Sequence, residues 1–188
     1  MAEDNRAGAS DSLAAKIRPI KLLLFDVDGV LTDGSIFLDE SGRETKRFDV
    51  KDGAGIKMAQ WCGLEVAILS GRESGVTARR AEELGIKRIV QGALDKGPAL
   101  EGVLQEAGVA GEETAYMGDD LLDLPCFGRV GVTACPSDAH PMLQREADYV
   151  CQRPGGLGAA REWIEVVLKI QGKFDGLVSK FKEGITNA

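Results

Sequence analysis

The sequence has 188 residues, 44% of them hydrophobic and 28% charged, which is ordinary for one globular domain with a proper core. Its formal net charge of −7 leaves no basic excess to neutralise phosphates, and this argues against general nucleic-acid binding. The four cysteines lack paired spacing and only one histidine, His140, is present, so the composition disfavours a zinc site.

The first twenty residues are polar and contain no apolar run of secretory length, and no later segment approaches the length of a membrane span. Scattered thiols are typical of a reducing compartment. We therefore expect a cytoplasmic protein without a membrane partner. The composition of the two ends predicts a mobile N-terminal tail over 1–18, one domain over 19–172 and a polar C-terminal tail over 173–188.

The first predicted strand is the apolar run at 22–25, which is typical of a strand buried on both faces. It ends at two carboxylates, Asp26 and Asp28, whose burial requires a compensating cation. Segments 35–37 and 44–48 flank the turn-like sequence DESG. They predict a β-hairpin that projects just past the two aspartates.

Beyond the hairpin, predicted helices and strands alternate along the chain. The glycine-rich sequence VKDGAG predicts a link into the first helix. Helices are predicted over 56–62, 74–84, 97–107 and 159–171, and strands over 64–69, 86–90, 114–117, 131–133 and 148–150. This alternation predicts an α/β fold with a Rossmann-like, doubly wound and mostly parallel sheet, covered by helices on both faces.

Polar side chains collect at the carboxyl ends of the predicted strands and at the start of one helix. Ligands of open parallel sheets bind at those strand ends. The residues concerned are Asp26, Asp28, Ser70, Lys96, Asp119 and Asp120. Of the last two, Asp119 is the better candidate for a metal ligand because it stands nearer the end of its strand.

This set of residue types suits the hydrolysis of a phosphate monoester. One aspartate can attack phosphorus, and a second carboxyl can protonate the leaving oxygen and then activate water. A hydroxyl and a lysine can bind the phosphoryl oxygens, and Mg²⁺ prefers oxygen ligands. Taken singly, Ser70 could be a turn residue and Lys96 a solvated charge. The acids at 119, 120 and 123 could simply complement a helix dipole.

In their order along the chain, FDVDGVLTD, LSGR, LDKG and MGDDLLD resemble the motifs of the haloacid dehalogenase superfamily, in its phosphatase branch. The resemblance implies that Asp26 is the nucleophile and Asp28 the general acid/base. It implies that Ser70 and Lys96 bind phosphate. It also implies that Mg²⁺ is bound by Asp26, Asp28 and Asp119, with Asp28 contributing its backbone carbonyl.

Most members of that superfamily carry a cap domain, and this chain has no room for one between its motifs. The segments FDVKDGAGIKM, SGRESGVTARRAEELGI, DAHP and GGLGAARE resemble the capless, homotetrameric phosphatases that act on eight-carbon keto sugar acid 8-phosphates in lipopolysaccharide precursor synthesis. A related branch that acts on nine-carbon keto acid 9-phosphates remains the alternative. Either resemblance implies a small phosphorylated sugar acid as the partner, not a nucleic acid.

The same resemblance implies a set of substrate contacts, and arginine forks suit the carboxylate of a sugar acid. The implied contacts are Asp28, Asp49, Val50, Lys51, Asp52, Gly53, Lys57, Arg72, Arg80 and Lys96. The family often has Asn and Arg where this chain has Asp49 and Lys57. Because lysine lacks the bidentate geometry of arginine, the exact sugar acid stays open.

Two further expectations concern the class of protein and its assembly. Receiver domains of signalling relays also combine a phospho-accepting aspartate, an acid pair, a hydroxyl and a lysine. In those domains the acid pair comes first along the chain, whereas here the first strand carries the nucleophile candidate, so an enzyme is favoured. The hairpin carries Ile36, Phe37 and Leu38 together, which predicts that hairpins pair between subunits of a homo-oligomer, most simply a tetramer.

Overall fold

The computed structural model describes residues 4–184, with side chains described from residue 11 onward. Its strands are β1 (Leu22–Phe25), β2 (Phe37–Leu38), β3 (Glu44–Thr45), β4 (Glu65–Leu69), β5 (Arg88–Val90), β6 (Thr114–Met117), β7 (Val132–Cys135) and β8 (Tyr149–Val150). Its helices are α1 (Asp4–Ile17), α2 (Val50–Trp61), α3 (Gly75–Glu83), α4 (Lys96–Ala107), α5 (Leu124–Phe127), α6 (Pro141–Glu146), α7 (Ala159–Ile170) and α8 (Phe174–Glu183).

Six of the strands form one parallel sheet in the order β5-β4-β1-β6-β7-β8. β1 lies in the middle, paired with β4 on one side and β6 on the other, and all four of its residues are buried. Alternate residues of a strand face opposite sides of a sheet. Leu23 and Phe25 accordingly pack with α1, α2, α7 and α8, whereas Leu22 and Leu24 pack with α4 and α5. The predicted doubly wound α/β fold is confirmed.

The chain ends differ from the predicted tails. α1 and α8 are helices, and both reach the core: Ile17 is fully buried and Leu177 is buried in the same apolar cluster as Phe25. The composition did not indicate these helices, because few apolar residues are enough when a packed neighbour is available. The predicted mobility of the two ends stays a prediction. Positions 1–3 and 185–188 of the predicted tails lie outside the described residues.

The glycine-rich segment predicted as a link is the first part of α2, which begins at Val50. The Asp49 side chain caps this helix by accepting from the Lys51 N–H at 2.7 Å. Two of its glycines allow close packing, because a Cβ on Gly53 would overlap the Arg80 guanidinium and one on Gly55 would press on Arg161. Tertiary packing therefore outweighs the low helix propensity of glycine.

The predicted hairpin is present as β2 and β3, an antiparallel pair of two-residue strands. Between β1 and β4 the chain forms only this hairpin and α2, so the predicted absence of a cap domain also holds for the described residues. Phe37 and Leu38 are 59% and 66% exposed. Within residues 4–184, no helix combines the length and the apolar character needed to cross a bilayer.

Candidate active site

The parallel strands bring the predicted acids and serine to one edge of the sheet. Asp26 directly follows β1, and its N–H donates to the Met117 carbonyl of β6 at 2.9 Å. Ser70 directly follows β4, and its N–H donates to the Val90 carbonyl of β5 at 2.9 Å. Asp119 lies two residues beyond the end of β6. Because β4, β1 and β6 are neighbours, their carboxyl ends form a single site.

Lys96 is the cationic centre of a buried hydrogen-bond network. Its Nζ lies 2.9 Å from Asp26 Oδ1, contacts Asp123 Oδ1, and lies 3.3 Å from the Tyr116 hydroxyl. The Tyr116 hydroxyl in turn donates to Asp123 Oδ1 at 2.5 Å. Burial alone would lower the pKa of Lys96, but the ion pairs with Asp26 and Asp123 outweigh burial and raise it. Lys96 is therefore a buried ammonium facing the nucleophile candidate rather than a solvated surface charge.

The acids at this edge repel one another. Burial raises the pKa of Asp26 to about 6, with Lys96 opposing this effect and Asp123 adding to it. Burial, followed by the nearby Asp26 and Asp123, raises the pKa of Asp119 to about 8. One oxygen from each of these three acids lies within 4.8 Å of the others. An all-carboxylate donor set with unfavourable self-repulsion fits a hard divalent cation such as Mg²⁺.

Asp119 and Asp123 differ in how free their oxygens are to bind that cation. Asp123 Oδ1 is engaged by Lys96 and Tyr116, and Asp123 Oδ2 accepts the N–H groups of Asp119 and Asp120 at 2.8 and 3.1 Å. No described residue donates a hydrogen bond to the Asp119 carboxylate. Asp120 is exposed, and its side chain accepts from the Leu121 N–H at 2.7 Å. The geometry thus favours Asp119 as the ligand, as the sequence predicted.

Gly29 allows Asp119 to approach the loop that follows β1. This glycine has a positive φ of 90°, and a Cβ at this position would overlap the Asp119 carboxylate. Any other residue here would push the acid away from Asp26. The glycine that follows the two predicted aspartates is therefore required by the shape of the site.

Asp28 faces a different set of charges from Asp26. Its Oδ1 accepts from Lys46 Nζ at 2.6 Å, and its Oδ2 lies 3.6 Å from Arg72 Nε. Lys46 and Arg72 also contact the Glu44 carboxylate, at 3.5 and 3.4 Å. Ser70 is buried nearby, and its Oγ accepts from the Arg72 N–H at 3.4 Å. Asp28 and Ser70 thus lie at the same site, as the sequence predicted, and Arg72 contacts both.

The remaining predicted substrate residues have other contacts. Asp52 is buried and accepts the N–H groups of Gly158 and Arg161 at 3.2 and 2.8 Å, so its carboxylate holds the first turn of α7. Lys57 lies beside Gly85 and lines a surface groove. Arg80 packs over Gly53 and pairs with Glu83 at 3.2 Å. Val50 and Lys51 are exposed on the first turn of α2. Their predicted contacts with a substrate remain predictions.

Three residues of the site were missed from the sequence. For Asp123 the sequence indicates only the alternative of a charge that complements a helix dipole, whereas the residue is 1% exposed and binds Lys96. Its spacing after Asp119 in MGDDLLD was the available signal, because a short 3₁₀ turn at Leu121–Asp123 brings it back to the strand end. Tyr116 and Lys46 carried no such signal, since one lies within a buried strand and the other just after a hairpin strand.

The buried carboxyl of Asp52 leads to a prediction about stability and pH. Burial raises the pKa of Asp52 to about 6, against the opposing hydrogen bonds from the Arg161 and Gly158 N–H groups. A raised folded-state pKa contributes stability at low pH that is lost as pH rises through about 6. The free energy of unfolding of the wild type, relative to Asp52→Asn, should therefore fall by up to about 3 kcal/mol between pH 4 and 7.

Urea unfolding of both proteins across that pH range measures this difference. The contributions of Asp26 and Asp119 are present in both proteins and cancel. Curves for the wild type and Asp52→Asn that run parallel from pH 4 to 7 would contradict the assignment.

Comparison with known proteins agrees with this geometry. The haloacid dehalogenase-like hydrolase family matches residues 85–158. The 3-deoxy-D-manno-octulosonate 8-phosphate phosphatase of Escherichia coli K12 is 43% identical over 166 residues, covering 88% of each protein. The crystal structure of the phosphatase of that name from Moraxella catarrhalis, in complex with a magnesium ion, a phosphate ion and a KDO molecule, has a TM-score of 0.88 at 39% identity and covers 91% of this chain and 98% of that one.

A second solved structure concerns the metal. The cobalt-bound form of the deoxy-D-mannose-octulosonate 8-phosphate phosphatase from Haemophilus influenzae has a TM-score of 0.82 at 44% identity, and the match covers 84% of this chain and 92% of that one. Two similar proteins therefore bind a divalent cation. Asp26, Asp119 and Asp123 lie close enough together to hold one, and of these three acids Asp123 already has both carboxylate oxygens engaged within the protein.

Proposed function

This chain belongs to the 3-deoxy-D-manno-octulosonate 8-phosphate phosphatases among the haloacid dehalogenase-like hydrolases, and we propose that it releases phosphate from that eight-carbon sugar acid for lipopolysaccharide precursor synthesis. The proposed substrate rests on the 43% identity to the enzyme of Escherichia coli K12, over 88% of both proteins. The chemistry is supported by Asp26, which is buried opposite Lys96 at the sheet edge. A phosphoric monoester hydrolase is thus favoured over the signalling module considered from the sequence.

In the first half-reaction, a carboxylate oxygen of Asp26 attacks phosphorus. The bond between phosphorus and the sugar oxygen breaks, and its electron pair goes to that oxygen, which takes a proton from Asp28. The products are the free sugar acid and an aspartyl-phosphate on Asp26. Lys96 and the Ser70 hydroxyl bind the phosphoryl oxygens in this proposal, because both are buried beside the strand ends.

In the second half-reaction, Asp28 acts as the base. A water molecule attacks phosphorus and gives its proton to the Asp28 carboxylate, while the bond to Asp26 breaks and returns its electron pair to the carboxylate. Asp26, Asp119 and the backbone carbonyl of Asp28 would hold the Mg²⁺. When bound, Mg²⁺ offsets the repulsion between the carboxylates and the phosphate anion.

A comparison of two substrates tests the substrate proposal. Phosphate release is measured with the eight-carbon keto acid 8-phosphate and with a nine-carbon keto acid 9-phosphate. We expect kcat/KM to be on the order of 10-fold or more higher for the eight-carbon substrate, since one pocket rarely accepts both chain lengths equally. A preference for the nine-carbon substrate would support the alternative, and turnover of neither would contradict the proposed activity.

For the assembly, we propose a homotetramer built on the hairpins. This is supported by the exposure of Phe37 and Leu38, which are the two residues of β2. Their burial between subunits would also pair the open edges of these short strands. Replacing both residues by Ser should shift the protein from an oligomer to monomers in sedimentation velocity at micromolar concentration. Met142→Ser, which changes an exposed apolar residue on α6, is the control and should leave the oligomer intact.

A wild-type protein that sediments as an active monomer would contradict this assembly.

For the location we infer the cytoplasm, supported by the four cysteines, which are all free thiols. Three of them, Cys126, Cys135 and Cys151, are buried, and burial raises the pKa of each thiol. Fractionation of the source cells would test this location.

A further inference from the structure

The hairpin brings a buried lysine to the proposed general acid. Lys46 directly follows β3, and its side chain is only 1% exposed, although Phe37 and Leu38 on the same hairpin are largely exposed. Its Nζ donates to Asp28 Oδ1 at 2.6 Å. Burying an ammonium group is costly unless it serves an ion pair, so its place beside Asp28 needs an explanation.

The two oxygens of Asp28 are held unequally. Oδ1 accepts from Lys46 and also, at 3.4 Å, from the Thr32 hydroxyl. Oδ2 is buried and accepts no hydrogen bond from the described residues, and Arg72 Nε lies 3.6 Å away. A buried carboxyl oxygen without a donor has its lone pairs free and can carry a proton.

Lys46 is also paired with a second carboxylate, that of Glu44. Glu44 lies between the two cations, 3.5 Å from Lys46 Nζ and 3.4 Å from Arg72 Nη2. Glu44 therefore gives Lys46 a carboxylate partner whether or not Asp28 carries its proton. An incoming phosphate would gain less from this lysine than from an unpaired one.

We propose that Lys46 is a positioning residue that holds Asp28 Oδ1, so that the proton on Oδ2 points at the leaving oxygen of the phosphate ester. This inference rests on the proposed function, because it assigns a role within that reaction. As the bond between phosphorus and the sugar oxygen breaks, the electron pair moves to that oxygen, which takes the proton from Oδ2. Without Lys46 the carboxyl group would rotate about its Cβ–Cγ bond and lose that alignment.

Two substrates that differ in their need for a proton test the proposal. The sugar phosphate leaves as an alkoxide that must be protonated, whereas p-nitrophenyl phosphate leaves as a stable phenolate. We would measure kcat/KM, which includes only the steps up to release of the alcohol, for the wild type, Lys46→Met and Lys46→Gln. Arg43→Met removes an exposed cation from the same hairpin, where it pairs with Asp39, and is the matched control.

Lys46→Met should lower kcat/KM by about 100-fold for the sugar phosphate and by less than about 3-fold for the aryl phosphate, because only the first needs the acid. Lys46→Gln, which keeps a donor without the charge, should show the same selective loss to a smaller degree, and it carries the test if Lys46→Met does not fold. Arg43→Met should match the wild type with both substrates.

Equal losses with both substrates would overturn the proposal, because they indicate phosphate attraction or a disturbed fold. No loss with either substrate would overturn it as well. If the wild type does not hydrolyse the eight-carbon sugar phosphate, the proposed function fails. The role of Lys46 is then still tested with any alkyl phosphate that the wild type accepts.

Discussion

Asp26→Asn should abolish turnover, with kcat reduced on the order of 10⁴-fold or more, while the protein remains folded. An amide cannot attack phosphorus as a carboxylate does, so no aspartyl-phosphate forms. The fold should tolerate the change because the amide has nearly the same shape. Since burial raises the pKa of Asp26 to about 6, its ionised form is unfavourable in the folded state at neutral pH, and its removal should not lower the thermal midpoint.

Phosphate release and thermal unfolding at pH 7.5 measure the two parts of this prediction. Asp33→Asn is the matched control, because Asp33 lies on the same loop after β1 but pairs with Arg47 at 2.9 Å. That control should keep wild-type kcat. A folded Asp26→Asn protein that turns over at the wild-type rate would remove Asp26 from the role of nucleophile.

The strand ends were predictable from the sequence because their signals are local. Buried parallel strands are short apolar runs, and a polar residue at the end of each run marks the edge of the sheet. Asp26, Ser70 and Asp119 follow such runs, and parallel topology then places them together without any knowledge of side-chain packing. The predicted position of Lys96 at the start of a helix also agrees with the structure, because Lys96 is the first residue of α4.

The missed features depend on contacts between residues far apart in the sequence. The Lys46–Asp28 pair spans 18 positions and the Asp52–Arg161 hydrogen bond spans 109. Neither pair lies within a single helix or strand, so no local pattern in the sequence indicates these contacts. The start of α2 was missed for a related reason, because Gly53 weakens an isolated helix but is needed where Arg80 packs against it.

Removal of the divalent cation should abolish activity, and Asp119→Asn should raise the Mg²⁺ concentration for half-maximal activity by at least about 100-fold. The physical reason is the concentration of negative charge at the site. Asp119 lies beside Asp26 and Asp123, and no described residue donates a hydrogen bond to its carboxylate. Burial and those two acids raise the pKa of Asp119 to about 8. Protons therefore compete with the cation, and the Mg²⁺ requirement of the wild type should fall as pH rises from 6 to 8.

Asp123→Asn tests whether Asp123 binds the cation or only supports the site. We expect only support, because both Asp123 oxygens are already engaged within the protein. Loss of the Asp123 carboxylate should lower kcat by about 10- to 100-fold, because Lys96 is then no longer held in place. It should change the Mg²⁺ requirement much less than Asp119→Asn does. Mg²⁺ titrations of the wild type and both variants, after treatment with excess chelator, measure these effects. High Mg²⁺ should restore activity to Asp119→Asn in part and to Asp123→Asn not at all. Equal shifts in the two Mg²⁺ requirements would mean that Asp123 is itself a ligand. Undiminished activity in excess chelator would contradict a role for the cation in the reaction.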